Sequence, residues 1–150
     1  MLLRIYRREL FAVQLALNLL VCSTARAEGV VPTEQVCTPD MAQAAESGVD
    51  GVNDWKALYG AFRKYAACDQ ASIAEGYDDI VIRLLTREWD GGSAATALVK
   101  KDGAFGAFIL RHITELASRA DLDRVKVNAM SRCAADATQF CASIAKASAQ

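Results

Sequence analysis

The chain has 150 residues, of which 53% are hydrophobic, and this length and composition make one domain with one core. Its 17 Lys/Arg and 18 Asp/Glu residues fall to 13 and 17 once the N-terminal segment described next is removed, which leaves a net charge of −4. This acidic balance excludes nucleic acid binding, which needs basic patches, and a polybasic grip on anionic lipid. It favours a basic protein partner.

Residues 1–27 have the pattern of an export signal. Within this segment, residues 10–21 form an apolar run, and residues 25–27 (Ala-Arg-Ala) form the small-x-small pattern that a signal peptidase cuts. Three basic residues precede the run: Arg4, Arg7 and Arg8. We therefore expect residues 28–150 to be a single helical domain in the periplasm or secreted from the cell.

Other interpretations of this segment are weaker. The apolar run is about a dozen residues, whereas a bilayer span needs about 20, so we expect no membrane anchor after cleavage. Cys22 resembles a lipoprotein acylation site, but the bulky Val21 precedes it where such sites usually carry a small residue. Arg7 and Arg8 resemble a twin-arginine signal. Because the chain shows no cofactor site that would require folding before export, the general secretory route is favoured.

Helical periodicity runs through almost all of the exported chain, and no segment has the pattern of a strand. Thr38 and Pro39 have the character of an N-cap and a first helical residue, and they predict a short helix through Glu46 that ends at Gly48. Asn53 is the expected cap of the next helix. That helix has an apolar stripe at three- and four-residue steps: Trp55, Leu58, Tyr59, Phe62, Tyr65 and Ala66.

A third helix is predicted by the capping-box pattern of Ser72 with Glu75, and it continues to Trp89. Residues 90–92 (Asp-Gly-Gly) stop it. Ser93 then restarts a short helix, which Asp102 and Gly103 end. Lys100 and Lys101, near its end, suit the negative pole of the helix dipole.

The last part of the chain predicts two further helices. The first has an apolar stripe formed by Phe105, Phe108, Ile109, His112, Ile113 and Leu116. Asp121 is the expected cap of the final helix, whose inward face keeps helical register for over twenty residues. That face comprises Leu122, Val125, Ala129, Met130, Cys133, Ala137, Phe140, Cys141 and Ile144. The sum is an all-α, compact bundle of five or six helices.

Four cysteines remain after signal cleavage, and an even number in an oxidising compartment predicts two disulfides. Three pairings of Cys37, Cys68, Cys133 and Cys141 exist. If Cys133 and Cys141 share one continuous helix, about 12 Å of rise separates them, which exceeds the roughly 7 Å that a disulfide allows. We therefore expect Cys68 to pair with Cys133 and Cys37 with Cys141. No CxxC motif is present, so the spacing favours neither a thiol catalyst nor a metal site.

The chain shows few candidates for chemistry. His112, the single histidine, lies on an apolar stripe, where a packed histidine with one hydrogen bond is the usual outcome. Two groups of acids have the character of glycosidase carboxylate pairs: Asp78 and Asp79 with Glu75, and Glu88 with Asp90. We expect them on solvent-facing helix positions or at a helix start, where the dipole favours acids. The sequence predicts no catalytic residue, no metal site and no cofactor.

Trp89 is the most distinctive candidate for binding a partner. It falls at a helix end beside the turn formed by Asp90, Gly91 and Gly92, where a large side chain would be only partly covered and could anchor a second protein. A homodimer through an apolar helical face is compatible with the sequence, although no residue pattern indicates it.

Short segments of the chain resemble a known group of proteins. Residues 62–68 (FRKYAAC), 73–77 (IAEGY) and 105–113 (FGAFILRHI), followed by Cys133, are similar to small exported helical bacterial proteins. Most of these relatives have no assigned activity. The best characterised group with a comparable pattern is the amidase immunity proteins of type VI secretion, all-helical periplasmic proteins that plug a peptidoglycan-cutting toxin. Cys37 and Cys141 lie outside the pattern, and no segment matches a toxin-inserting loop.

The sequence leaves two functional hypotheses. The resemblance implies a non-enzymatic periplasmic protein that binds another protein, with a cell-wall hydrolase as the partner that it would inhibit. The alternative is a small periplasmic enzyme or ligand carrier with a pocket near His112. The alternative predicts that replacing His112 abolishes activity and leaves folding intact.

Overall fold

The computed structural model describes residues 36–114 and 116–149 of the chain. The predicted signal, with Cys22 and the cleavage site, lies outside these residues. Among the described residues, no helix is long and apolar enough to cross a bilayer.

Seven α-helices and no strand form the described part of the chain, which confirms the predicted all-α fold. Three 3-10 turns link them, at Val49–Gly51, Ala66–Cys68 and Ala135–Ala137. The helices are α1 (Pro39–Gly48), α2 (Trp55–Tyr65), α3 (Ala71–Thr86), α4 (Ser93–Lys101), α5 (Gly103–Arg111), α6 (Arg119–Ser131) and α7 (Thr138–Ala147). The count exceeds the expected five or six because the predicted long final helix is two helices.

Local capping explains most of the helix starts. The Thr38 hydroxyl accepts a hydrogen bond from the Met41 amide at the start of α1, as its sequence pattern predicts. The cap of α2 is Asp54 and not Asn53, since the Asp54 carboxylate accepts from the Ala57 amide at 2.7 Å. The predicted cap of α6, Asp121, was also wrong.

At α6 the cap is Ser118, whose hydroxyl accepts from the backbone of Asp121. At α3 the capping box does not form. The helix begins at Ala71, and the Ser72 hydroxyl donates instead to the Glu46 carboxylate of α1 at 3.1 Å. At α2 and α6 a nearby residue is therefore the cap, whereas at α3 a tertiary contact uses the hydroxyl that was expected to cap the helix.

The core lies around α3. Four of its side chains are fully buried: Tyr77, Val81, Leu84 and Leu85. An aromatic cluster from α2 and α5 packs beside them, with ring centroids 5.0 Å apart for both the Phe62–Phe108 and the Tyr59–Phe105 pairs. Such edge and tilted contacts contribute about 0.5–1.5 kcal/mol per pair beyond the buried area.

The structure contains the two expected disulfides but with a different pairing. Cys37 is bonded to Cys68, and Cys133 to Cys141. The expected pairing failed because its premise, one continuous helix, is wrong: α6 ends at Ser131 and α7 starts at Thr138. The reversal brings the Cα atoms of Cys133 and Cys141 to 6.2 Å.

The pairing also changes the expected stabilisation. In the chain-entropy model, the loop closed over 31 residues is worth about 4 kcal/mol and the loop over eight about 2.5 kcal/mol. Each disulfide therefore stabilises one end of the chain locally, instead of joining the two ends together.

Three predicted core positions are exposed instead. Ala66 is exposed in the 3-10 turn that follows α2. Leu116 is 75% exposed because α5 ends at Arg111 and no longer carries the apolar stripe. Met130 is 68% exposed although it lies within α6.

Candidate functional site

The turn at Trp89–Gly92 links α3 to α4 and packs on the junction between α6 and α7. Trp89 is partly exposed, as expected, and its ring nitrogen donates to the Arg132 carbonyl at 2.9 Å. Asp90 is exposed, and its carboxylate accepts from the amides of Gly92 and Ala94, both at 2.9 Å. Asp90 thereby caps the start of α4.

Gly91 and Gly92 are buried, and both have φ of +81°. The Gly91 carbonyl accepts from the Ala134 amide at 2.9 Å, and a Cβ on Gly91 would lie 3.1 Å from the Ala134 Cβ. Only glycine fits this left-handed backbone at so close an approach. The two glycines therefore let this turn pack against the junction between α6 and α7, and within the turn only Trp89, which is partly exposed, and Asp90 are accessible to a partner.

His112 lies directly after α5, and its side chain is 3% exposed. One ring nitrogen, Nδ1, is 2.6 Å from Asp78 Oδ1, and the other, Nε2, is 3.1 Å from Asp69 Oδ2. The imidazole is therefore held between two carboxylates, an arrangement that we call the His112 clamp. Both ring nitrogens have a hydrogen-bond partner, whereas the sequence predicted a single hydrogen bond.

Further contacts complete the clamp. The Thr114 hydroxyl donates to Asp78 Oδ2 at 3.2 Å, and the Arg111 guanidinium forms an ion pair with Asp69 Oδ2. The His112 ring also packs edge-on against Phe108, with centroids 4.4 Å apart. The clamp thus ties the segment before α3, the middle of α3 and the end of α5 to one another.

Burial sets the electrostatics of this region. Burial raises the pKa of Asp69, but hydrogen bonds from His112 and Arg111 outweigh it and hold the pKa below its ordinary range. Burial, with the nearby Asp69 carboxylate and Tyr65, raises the pKa of Tyr77 to about 12. The Tyr77 hydroxyl and Asp69 Oδ1 are buried and have no hydrogen-bond partner among the described residues.

No sequence pattern indicated Asp69, and the predicted position of Asp78 was wrong. Asp78 was expected to face solvent, but its side chain is 15% exposed because it turns towards His112. Glu75, Asp79 and Glu88 are exposed, as expected. A histidine on an apolar stripe needs polar partners for both ring nitrogens once it is buried, and that requirement is the one signal that could have pointed to a second carboxylate.

The outer face of α6 carries an exposed apolar surface. Val127 is 57% exposed and Met130 68% exposed, and they lie three residues apart on the solvent side of the helix. Beside Met130, a groove of about 290 Å³ runs between α6 and α7. Its lining has one polar side chain, that of Thr138, among Ala129, Met130, Cys133, Thr138, Cys141, Ala142 and Ala145. We call Val127, Met130 and this groove the α6 patch.

The fold and these surfaces define a disulfide-stapled, all-helical protein whose single histidine is enclosed in a carboxylate clamp. Comparison of the chain with protein-family models, with curated proteins and with solved structures gives no match.

Proposed function

We propose that this protein is exported and binds another protein through the α6 patch. The α6 patch is the observation that carries the proposal. The finer proposal, that the partner is a cell-wall hydrolase that the protein inhibits as an immunity protein, rests on the resemblance of short segments within residues 59–133 to the amidase immunity group.

The α6 patch has the character of an interaction surface because it departs from the normal pattern of a surface helix. The solvent side of an amphipathic helix is normally polar, yet Val127 and Met130 occupy it one turn apart. Covering one such side chain completely is worth about 1.5–3 kcal/mol, so the partial exposure of these two leaves roughly 1–2 kcal/mol each for a partner to gain.

The disulfide between Cys133 and Cys141 supports this surface. Both cysteines line the groove, and their bond holds the end of α6 against α7. A surface fixed before binding loses less conformational entropy when the complex forms. The acidic exported chain, with a net charge of −4, would attract a basic partner and speed its association.

The geometry around His112 favours this proposal over the alternative of an enzyme or ligand carrier. A catalytic or ligand-binding histidine needs a ring nitrogen that a substrate atom can reach. Both nitrogens of His112 face carboxylates, and the side chain is 3% exposed. A substrate would have to break one of these contacts to reach the ring.

The test is affinity capture from periplasmic extract with residues 28–150 as bait, followed by mass spectrometry. We expect one stoichiometric partner, whose capture Met130→Lys reduces at least tenfold. Val36→Lys is the matched control, since Val36 is a 76% exposed apolar residue on a different segment, and it should leave capture unchanged. If the captured protein degrades peptidoglycan, titration with the bait should abolish that activity at a one-to-one ratio.

Two results would contradict the proposal. A folded, fully oxidised bait that recovers only background proteins argues against a protein partner. Equal loss of capture in Met130→Lys and Val36→Lys argues against the α6 patch as the binding surface.

A further inference from the structure

A second, separate groove runs along α3. Its floor is one face of the helix, from Gly76 to Arg87, and its walls are the segment 49–53 and Asp121 at the start of α6. Its volume is about 490 Å³, within the range of sites that bind small molecules. Because α3 rises about 1.5 Å per residue, the floor is roughly 16 Å long.

Gly76 allows the segment 49–53 to lie this close to α3. A Cβ on Gly76 would lie 2.7 Å from Val49 Cγ1, a distance that side chains do not tolerate. The missing side chain therefore lets the 3-10 turn at Val49–Gly51 rest on the helix and form a wall. The groove therefore depends on the glycine at position 76 of α3.

Two guanidinium groups occupy the end of the groove nearest the C-terminus of α3. Arg83 donates from Nη2 to the Val52 carbonyl, which fixes its side chain and leaves most of its five donors free. Arg87, one turn further, is exposed and has no ion pair or side-chain hydrogen bond within the described part of the chain. Like charges one turn apart on a helix repel each other, and the negative end of the helix dipole offsets part of this repulsion.

Carboxylates occupy the other part of the groove. Asp79 lies one turn before Arg83, the spacing at which opposite charges normally pair, yet the two form no ion pair. Asp50, on the wall, is exposed and likewise has no ion pair among the described residues. Asp121, on the opposite wall, accepts from the Ser118 hydroxyl. Along the floor Asp79 precedes Arg83 and Arg87, so the groove has an acidic part and a basic part that form no ion pair with each other among the described residues.

The spacing of these charges fits an extended peptide. Asp79 and Arg87 are eight residues apart, or about 12 Å along the helix. An extended chain rises about 3.3 Å per residue and places positions i and i+4 on the same face, about 13 Å apart. A segment with a basic and an acidic residue four positions apart would place one charge at each end of the groove.

We infer that the groove along α3 docks an extended segment of a protein partner that carries a basic residue for Asp79 and Asp50 and an acidic residue for Arg83 and Arg87. This inference rests on the proposed function in one respect, that the segment belongs to a protein. It does not rest on the α6 patch, which shares no lining residue with the groove.

Capped pentapeptides test the inference directly, without the partner. We would titrate ¹⁵N-labelled residues 28–150 with acetyl-Lys-Ala-Thr-Ala-Glu-amide and follow the backbone amide shifts. The controls are the same peptide with two lysines, with two glutamates, or with two alanines at its ends. We expect the mixed-charge peptide alone to shift amides at both ends of the groove, and we expect added salt to weaken its binding.

Charge-reversal variants then separate the two halves of the groove. Arg87→Glu and Asp79→Lys are suitable because neither side chain contributes an ion pair within the described structure. Arg87→Glu should weaken the mixed-charge peptide about threefold to fivefold, as expected for an exposed pair, and strengthen the two-lysine peptide. Asp79→Lys should strengthen the two-glutamate peptide.

Two results would overturn the inference: no shift with the mixed-charge peptide up to its solubility limit, or equal shifts with the uncharged peptide. Either result would leave the capture experiment at the α6 patch unaffected, so the two proposals can fail separately. Peptide binding together with failed capture would leave the groove as a peptide site and remove the proposed function.

Discussion

Replacing His112 with alanine should destabilise the fold. The change removes the group between two carboxylates whose side chains are 4% and 15% exposed, those of Asp69 and Asp78. Each hydrogen bond to a charged group is worth about 1.5–3 kcal/mol. Removing one partner of a buried pair costs about 3–5 kcal/mol, because the remaining charge is left without compensation.

Arg111 reduces that cost, since its guanidinium still pairs with Asp69 after the imidazole is gone. We therefore expect His112→Ala to lower the free energy of unfolding by about 3–4 kcal/mol, against a total of about 5–15 kcal/mol for a domain. The melting temperature should fall by roughly 10 °C or more. Loss of the ring from its contact with Phe108 adds to the effect in the same direction.

The assay is urea unfolding followed by circular dichroism, with Asp69→Asn and the double variant completing a double-mutant cycle. Because Asn removes the uncompensated charge, the double variant should be about 1–3 kcal/mol more stable than the sum of the single losses predicts. A loss below about 1 kcal/mol in His112→Ala would refute the stabilising role of the clamp. Strict additivity in the cycle would refute the direct coupling of the two residues.

Three further predictions follow from the pairing of cysteines and the buried groups. Tryptic digestion without reduction should give peptide 133–146 with an internal disulfide, and should link the peptide of Cys37 to that of Cys68. Tyr77→Phe should stabilise the fold by about 1 kcal/mol in urea unfolding, because it removes a buried hydroxyl that has no hydrogen-bond partner in the described part of the chain. The folded-state pKa of Asp69 lies below its unfolded value, so its stabilisation is present above about pH 4 and is lost as pH falls through the folded-state pKa. Between pH 7 and pH 2, the free energy of unfolding of the wild-type protein should fall more steeply than that of Asp69→Asn.

Each of these predictions has its own contradicting outcome. A three-peptide assembly, in which peptide 133–146 is bonded to both other cysteine peptides, would contradict the pairing. Tyr59→Phe is the control for Tyr77→Phe, since the Tyr59 hydroxyl donates to Asp102 at 3.4 Å, and it should destabilise the fold or leave it unchanged. Equal acid losses in wild type and Asp69→Asn would show that the pKa of Asp69 is not lowered by folding.

Alkaline pH offers a check on the same region. The pKa of Tyr77 is raised to about 12 because burial disfavours the phenolate. Because the folded-state pKa lies above the unfolded value of about 10, ionisation of this hydroxyl does not lower the free energy of unfolding below about pH 10. The free energy of unfolding falls as pH rises from there towards 12. Tyr77→Phe should remove this loss, which the ultraviolet absorbance of phenolate and the unfolding free energy would both report.

Local sequence determined the helices with the clearest start and stop signals. Thr38 and Pro39 begin α1 where predicted, and Ser93 begins α4 directly after the glycine turn. These features depend on interactions within a few residues, which a sequence shows directly. The choice between neighbouring caps, such as Asn53 and Asp54, was less certain because both residue types have the same preference.

The break between α6 and α7 could not be read from local preference. Residues 132–137 contain neither glycine nor proline and include three alanines, so helix propensity favours continuation. The tertiary structure prevents it, because the Ala134 amide donates to the Gly91 carbonyl and Cys133 bonds to Cys141. The wrong disulfide pairing followed from this one unseen break.

The sequence by itself determined that the described chain is all-helical and that its four cysteines form two disulfides. Only the tertiary structure decided the His112 clamp, the α6 patch and the groove along α3. The clamp joins His112 to carboxylates 34 and 43 residues away in sequence, a separation over which no periodic pattern extends. Periodicity identifies which face of a helix is apolar, but the packing of other helices decides which parts of that face are covered.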